Sequence, residues 1–280
     1  MPRIPRGQQG GYAYHVINRG NGRTTVFHKP QDYEAFLLLL SEAKTRHGVK
    51  IFGFCLMPNH FHVVLEPAHQ TALSQFMQWL LTSHVRRYHQ HYGSSGHVWQ
   101  GRFKSFPVQR DEHLITILRY VLQNPVRAGL SSTPREWLWS SLRRPQIVDP
   151  WPVGDERPWL EQLDEPIRAE QLVNVRECLN RKRPYGSTEW QVKMASMFGL
   201  GSTLRPRGRP RNEKKVACPL FDSRAPGFLA RKRAADGGRM SARRRSRRPR
   251  VRREDRGPAY GFAREARDAY RPLGAGGRAR

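Results

Sequence analysis

The stretch VKIFGFCLMPNHFHVVLE, residues 49–66, decides how this chain is read. Two runs rich in aromatic and β-branched residues flank Pro58 and Asn59, a pair that breaks strands and makes turns, so the spacing predicts a hairpin. Side chains alternate along a strand. His60, His62 and Val64 therefore share one face, and Phe61, Val63 and Leu65 the other. The apolar set calls for a cover of helices. The two imidazoles are expected on an exposed sheet face, about 6.6 Å apart at a rise of about 3.3 Å per residue. That is near enough to converge on one cation through metal–nitrogen bonds of about 2.1 Å. Two solvated histidines on a strand is the plainer alternative. The same spacing recurs at His89 and His91, but inside a helical pattern, where residues i and i+2 do not face each other. That second pair reads as surface.

Outward from the hairpin, the segments alternate in type. GYAYHVIN (11–18) reads as a strand and is followed by a Gly/Asn/Arg loop. DYEAFLLLLSEAKTRHG (32–48) reads as a helix with Asp near its start and Gly at its end. Leu73, Phe76, Leu80, His84 and Tyr88 recur at helical spacing, HVWQGRFKSFPVQ (97–109) reads as a strand, and 111–123 as a helix stopped before Pro125. Strand, helix, strand, strand, helix, strand, helix predicts an α+β fold, a ferredoxin-like antiparallel sheet with helices on one face. Residues 1–145 form the predicted domain. Residues 146–204 are a connector and a small basic helical appendage, with helices near 167–181 and 188–199.

Composition bounds the partner. Of 280 residues, 50 are Lys or Arg and 23 Asp or Glu, a net +27 that points to a polyanion, with nucleic acid the default. Residues 205–280 hold 25 Lys/Arg and 7 Asp/Glu, a net +18, with no periodic apolar face, and are expected to be disordered. Pro206-Arg207-Gly208-Arg209-Pro210 has the pattern of an AT-hook, whose arginines (here Arg207 and Arg209) enter the minor groove. No apolar run is long enough to span a membrane, so no membrane partner and a cytoplasmic, nucleoid-associated location are expected. The three cysteines form no CxxC pair, and there is no GxxxxGK(S/T) phosphate loop.

The helix after the last strand has an apolar stripe of Leu114, Ile117, Leu118, Val121 and Leu122, with Tyr120 and Asn124 on its flank. MPNHFHVVL (57–65), VWQGRF (98–103) and LRYVLQNPVRAGL (118–130) together resemble the histidine-hydrophobe-histidine (HUH) single-tyrosine transposases. Within that IS200-like group they are most similar to the REP-associated tyrosine transposases, over about residues 10–145. The resemblance implies a nuclease that nicks single-stranded DNA near a hairpin and rejoins strands through a 5'-phosphotyrosine link. Carried over residue by residue, His60 and His62 become ligands of Mg2+ or Mn2+, Tyr120 the nucleophile, and Asn124 a polar group completing the site. Family members often carry a histidine two residues after the tyrosine, where this chain has Leu122.

Arg19, Arg23, Arg102 and Lys104 lie on loops or strand ends near the expected site and are candidates to track a DNA backbone. Trp99 and Phe103 are offered to unpaired bases or, more simply, to the core. Single-stranded and hairpin DNA are the expected partners, bound by a monomer or a homodimer. Two other readings stand beside this one: a nucleic-acid-binding protein without catalysis on the same scaffold, and a nickase of the relaxase or replication-initiator kind.

Overall fold

The structure, a computed structural model, describes residues 7–152 and 157–205. These residues belong to the first of two compact units, Met1–Pro206. The basic tail, with Arg207 and Arg209, lies outside the described residues. Four strands, β1 (Ala13–Arg19), β2 (Val49–Met57), β3 (His60–Pro67) and β4 (Lys104–Val108), form one antiparallel sheet in the order β2-β3-β1-β4. Helix α1 (Pro30–His47) joins β1 to β2, and α2 (Ala72–Tyr92) joins β3 to β4. After β4 come α3 (Glu112–Leu122), the single turn α4 (Asn124–Arg127), α5 (Arg157–Glu161), α6 (Ala169–Arg181) and α7 (Thr188–Met197).

Local chemistry sets the helix ends. Pro30 opens α1, the Asp32 carboxylate accepts from the Lys29 amide at 3.2 Å, and Gly48 ends the helix in the left-handed conformation at φ 59°. Asp111 caps α3 by accepting from the His113 amide at 2.9 Å.

The predicted alternation in β3 holds. Phe61, Val63 and Leu65 are buried with Tyr14, Val16, Phe54 and Leu56 beneath α1 and α2. The expected single layer of helices is this α1–α2 layer. The opposite face also has a cover: Ala13, Cys55, Met57, Val64, Phe106 and Val108 pack against the apolar stripe of α3 and against Val175 and Cys178 of α6. The stripe that marks α3 as core-facing needs an apolar surface of its own, and only the second sheet face is left to supply it. In consequence His62 is buried, not exposed.

A bulge in β2 tunes that second interface. The register with β3 shifts between Ile51 and Gly53, so Phe52 and Gly53 both serve the α3 side. A Cβ on Gly53 would lie 2.4 Å from Leu118 Cδ2, so glycine is what allows α3 to come this close. Gly53→Val is expected to cost about 2 kcal/mol by overpacking. It should lower the melting temperature by about 4–8 °C, read by circular dichroism.

Both sheet edges are closed by later parts of the chain. On the β2 side Leu56 N–H donates to the Trp139 carbonyl (2.8 Å), Ser141 N–H to the Phe54 carbonyl (3.0 Å) and Trp137 Nε1–H to the Leu56 carbonyl (2.9 Å). Trp139 stacks on Tyr33 at 4.6 Å, so the segment that follows α4 packs back on the core. On the β4 side Tyr185 N–H donates to the Pro107 carbonyl at 2.9 Å. Closing edges in this way removes sites of sheet-to-sheet association.

The strand expected at 97–109 is shorter than its pattern. Gly101 adopts φ 66°, and before it Trp99 makes only an isolated bridge to Gly20. Trp99 and Phe103 are buried in the α1–α2 core. There Trp99 packs on His84, whose ring lies 5.2 Å from those of Trp99 and Phe36 and 5.7 Å from that of Phe27. Burial depresses the His84 pKa to about 4. Its folded value is thus below the unfolded one, and the stability this neutral ring gives above the ordinary imidazole range is lost as pH falls toward 4. The loss is about 2 kcal/mol at pH 5, or about 4–8 °C. His84→Leu should remove about that much of the drop in melting temperature between pH 7 and pH 5. Equal drops in the two proteins would refute it.

Candidate active site

The strand register brings the site together. On the α3 side of the sheet, Arg19 lies opposite His60, Ile17 opposite His62, and His15 opposite Val64. Lys104 of β4 lies opposite Ile17. His60 and His62 have ring centroids 5.1 Å apart. His62 stacks parallel to His15 at 4.9 Å, and His15 Nε2 is 2.8 Å from His62 Nδ1. His60 Nδ1 is 2.6 Å from Asn59 Oδ1. Because the amide oxygen only accepts, His60 carries its proton on Nδ1, which leaves Nε2 bare.

Tyr120 comes down from α3 onto this same face. Its ring centroid lies 5.9 Å from that of His62 and 6.1 Å from that of His15, edge to face with both. It is nearly buried, at 7% exposure. The Arg127 guanidinium lies over the ring, 4.4 Å from its centroid, and donates to the Tyr120 carbonyl. Asn124 Nδ2 donates to the carbonyls of Tyr120 (3.2 Å) and Val121 (3.3 Å), closing the last turn of α3. Gln123, also buried, donates to the carbonyls of Leu163 (2.7 Å) and Glu165 (2.6 Å), which ties that end of the helix to the connector. Leu122 is buried in the core and offers no proton-carrying group.

The electrostatics are those of neutral imidazoles beside cations. Burial pushes His60 down to about 4, with the charge of Arg19 adding to the effect. Burial also holds His15 near 3. It takes His62 well below the ordinary imidazole range, helped by His15, His60, Arg127 and Arg19. Burial lowers Arg127 as well, against the pull of Tyr120. Unprotonated imidazole is the form that ligates metal.

Does a divalent cation fit? Two neutral nitrogens on one face, His60 with Nδ1 engaged and Nε2 bare, fit Mn2+ well and Mg2+ adequately only with oxygen ligands, such as those of a phosphate and water, completing the shell. Among the described residues no third His, Cys, Asp or Glu completes a metal cluster with them. The group that does place three ligating atoms within 4.8 Å is Asp111, Glu112 and His113, at the first turn of α3. It lies about 12 Å from Tyr120 along the helix at 1.5 Å per residue. Its Asp111 is already spent on the cap and on His113 Nδ1 at 2.7 Å.

The remaining sequence candidates divide. Arg19 is half-buried beside His60, and Lys104 is exposed at the start of β4. Arg23 and Arg102 are exposed on loops at the same end of the sheet. The Arg23 carbonyl accepts from Asn59 Nδ2 at 3.0 Å, and Arg102 follows the Gln100 amide, which donates to the Arg19 carbonyl at 2.7 Å. The His89 and His91 rings have separate partners, Ser94 and Gly96 for one and Lys29 for the other. Sequence reading missed His15 and Arg127. Both stand in quoted stretches, and His15 has the two-residue spacing that puts it on a face with Ile17 and Arg19. Only the pairing of β1 with β3 shows that this is the face of the other two imidazoles.

Comparison with known proteins adds the following. Residues 8–124 match the family described as transposase, IS200 like. A Haemophilus influenzae protein assigned as a REP-associated tyrosine transposase is 27% identical over 111 residues, which cover 36% of this chain and 62% of that protein. The chain thus spans less than two thirds of the length of this curated relative. Among solved structures, that of a REP-associated tyrosine transposase bound to a REP hairpin is 17% identical, with a TM-score of 0.42, over 60% of this chain and 100% of the other. A protein from Deinococcus radiodurans assigned as a transposase is 19% identical, with a TM-score of 0.32, over 44% of this chain and 97% of the other.

Proposed function

Because residues 8–124 match the IS200-like transposases and carry paired imidazoles beneath a tyrosine, we propose that this protein is a single-strand DNA endonuclease and strand transferase. Its substrate is hairpin-bearing DNA such as REP elements. The observation that carries the reading is the position of Tyr120, 5.9 Å from His62 between ring centroids and on the same sheet face as both His60 and His62.

In this reaction the Tyr120 hydroxyl attacks a backbone phosphorus. A bond forms from the phenol oxygen to phosphorus, the bond from phosphorus to the 3' oxygen breaks, and the phenol proton ends on the departing oxygen. The products are a 5'-phosphotyrosine link and a free 3'-hydroxyl. One phosphoester replaces another, so attack by a 3'-hydroxyl reverses the step and joins strands without a nucleotide cofactor.

A phenol is a weak nucleophile at neutral pH, so alignment and charge must supply the rate. Arg127 holds positive charge against the ring and, with Asn124, fixes the backbone of the turn that carries it. Arg19 and Lys104 flank the imidazoles on the sheet face and draw the phosphate toward them. Arg23 and Arg102, on loops at that end, extend the track for the strand. Mg2+ or Mn2+ held by the Nε2 atoms of His60 and His62 would withdraw charge from the phosphoryl oxygen. The basic tail, with Arg207 and Arg209, adds affinity that is sequence-independent and salt-sensitive.

The test is to incubate the protein with Mn2+ and end-labelled single strands that carry a hairpin. A covalent protein–DNA band that survives denaturation and yields phosphotyrosine is expected. Tight binding with no such band would favour the non-catalytic scaffold instead. A band whose tyrosine maps away from position 120 would overturn the site.

A further inference from the structure

We propose that His15 is a positioning residue: its Nε2 accepts the Nδ1–H of His62 and so fixes His62 in the tautomer whose Nε2 carries the free lone pair. The inference deepens the proposed metal reading and rests on it for its purpose, though the hydrogen bond itself does not depend on a metal.

The geometry admits one proton between the two rings, at 2.8 Å with planes 3° apart. Two orders are possible. If His15 donated, His62 would be left with its hydrogen on Nε2, and that nitrogen could ligate nothing. If His62 donates, its Nε2 is bare, matching the bare Nε2 that Asn59 enforces on His60. Both ligand rings are then set by a hydrogen bond at Nδ1, the arrangement by which outer partners tune metal-binding histidines.

The cost of this order is visible at the far side of His15. The ring is fully buried, packed edge-on against Phe106 at 5.0 Å and Tyr120 at 6.1 Å. Its Nδ1 has no hydrogen-bond partner. In the order proposed, that atom is an N–H buried without an acceptor, which works against stability. A residue kept only for packing would do better as an apolar side chain of the same size. An imidazole here, with one nitrogen orphaned and the other aimed at His62, is explained by what it does for His62.

The experiment uses full-length, metal-free protein. The 15N–1H spectra of its histidine rings are assigned by comparison with His62→Gln. In wild-type protein the His62 proton is expected on Nδ1. Mn2+ binding, followed by electron paramagnetic resonance without DNA, should weaken about 10- to 100-fold in His15→Leu. The melting temperature of His15→Leu should stay near the wild-type value, because the change removes the orphaned N–H of His15 and leaves that of His62 without an acceptor. His15→Gln, whose amide oxygen reaches the place of Nε2, should recover most of the affinity.

A His62 proton on Nε2 overturns the proposal. So does wild-type Mn2+ affinity in His15→Leu, or equal loss in the Leu and Gln variants. Wild-type protein that takes up no Mn2+ overturns the metal reading instead. The tautomer then decides this inference by itself, with a proton on Nδ1 upholding the ordering and one on Nε2 ending it.

Discussion

Tyr120→Phe should yield no covalent protein–DNA adduct and no strand cleavage, a fall of more than about a thousandfold, in a protein that melts where the wild type does. The change deletes one oxygen. Everything that packs the ring is kept: the edge-to-face contacts with His15 and His62, the Arg127 guanidinium at 4.4 Å, and the hydrogen bonds from Asn124 and Arg127, which go to the backbone carbonyl and not to the hydroxyl. Hairpin binding should therefore survive, because the groups proposed to hold the DNA are untouched. A binding-competent, uncleaving variant separates the chemical step from recognition. If Tyr120→Phe still forms an adduct, the nucleophile is elsewhere. If it neither binds nor folds, the hydroxyl has a structural importance the contacts do not suggest.

How much of this could be read from the sequence differs by residue. The β2–β3 hairpin was legible because Pro58 and Asn59 interrupt two runs of β-forming residues, and period-two alternation assigned Phe61 and His62 to opposite faces. Those are local signals. Burial of the histidine face was not legible, although its cause was in view: Leu114, Ile117, Leu118, Val121 and Leu122 demand an apolar partner, and α1 and α2 already occupy the other face. The bulge at Phe52 was hidden because it arises from pairing with β3, not from any pattern within 49–57. His15 was missed for the same reason. Its strand was recognised, but which face joins which depends on long-range register, and register is set by burying the whole sheet. Tyr120 and Asn124 were found through the resemblance around QNPVRAGL, since their helical spacing alone would fit any half-buried aromatic.

Replacing the paired imidazoles should separate affinity for metal from the identity of the nucleophile. His60 is only partly buried, and its ring meets Asn59 at a turn, so His60→Ala should leave the melting temperature within about 2 °C. His62 is buried between His15 and Tyr120. His62→Ala should cost about 2–4 kcal/mol through the cavity and the partner it abandons. Both variants should lose at least about a hundredfold in Mn2+-supported cleavage. The decisive contrast is a titration: raising Mn2+ should restore part of the activity of His60→Ala, whose remaining ligand still carries a bare nitrogen, and none of that of Tyr120→Phe. Chelation of the wild type should abolish cleavage and leave in place the hairpin binding proposed for Arg19, Arg23, Arg102 and Lys104. Cleavage that persists in excess chelator, or a His60→Ala protein that cuts at the wild-type rate at limiting Mn2+, would mean that the imidazoles do not hold a metal. Their burial beside Tyr120 would then serve only to pack and orient the ring.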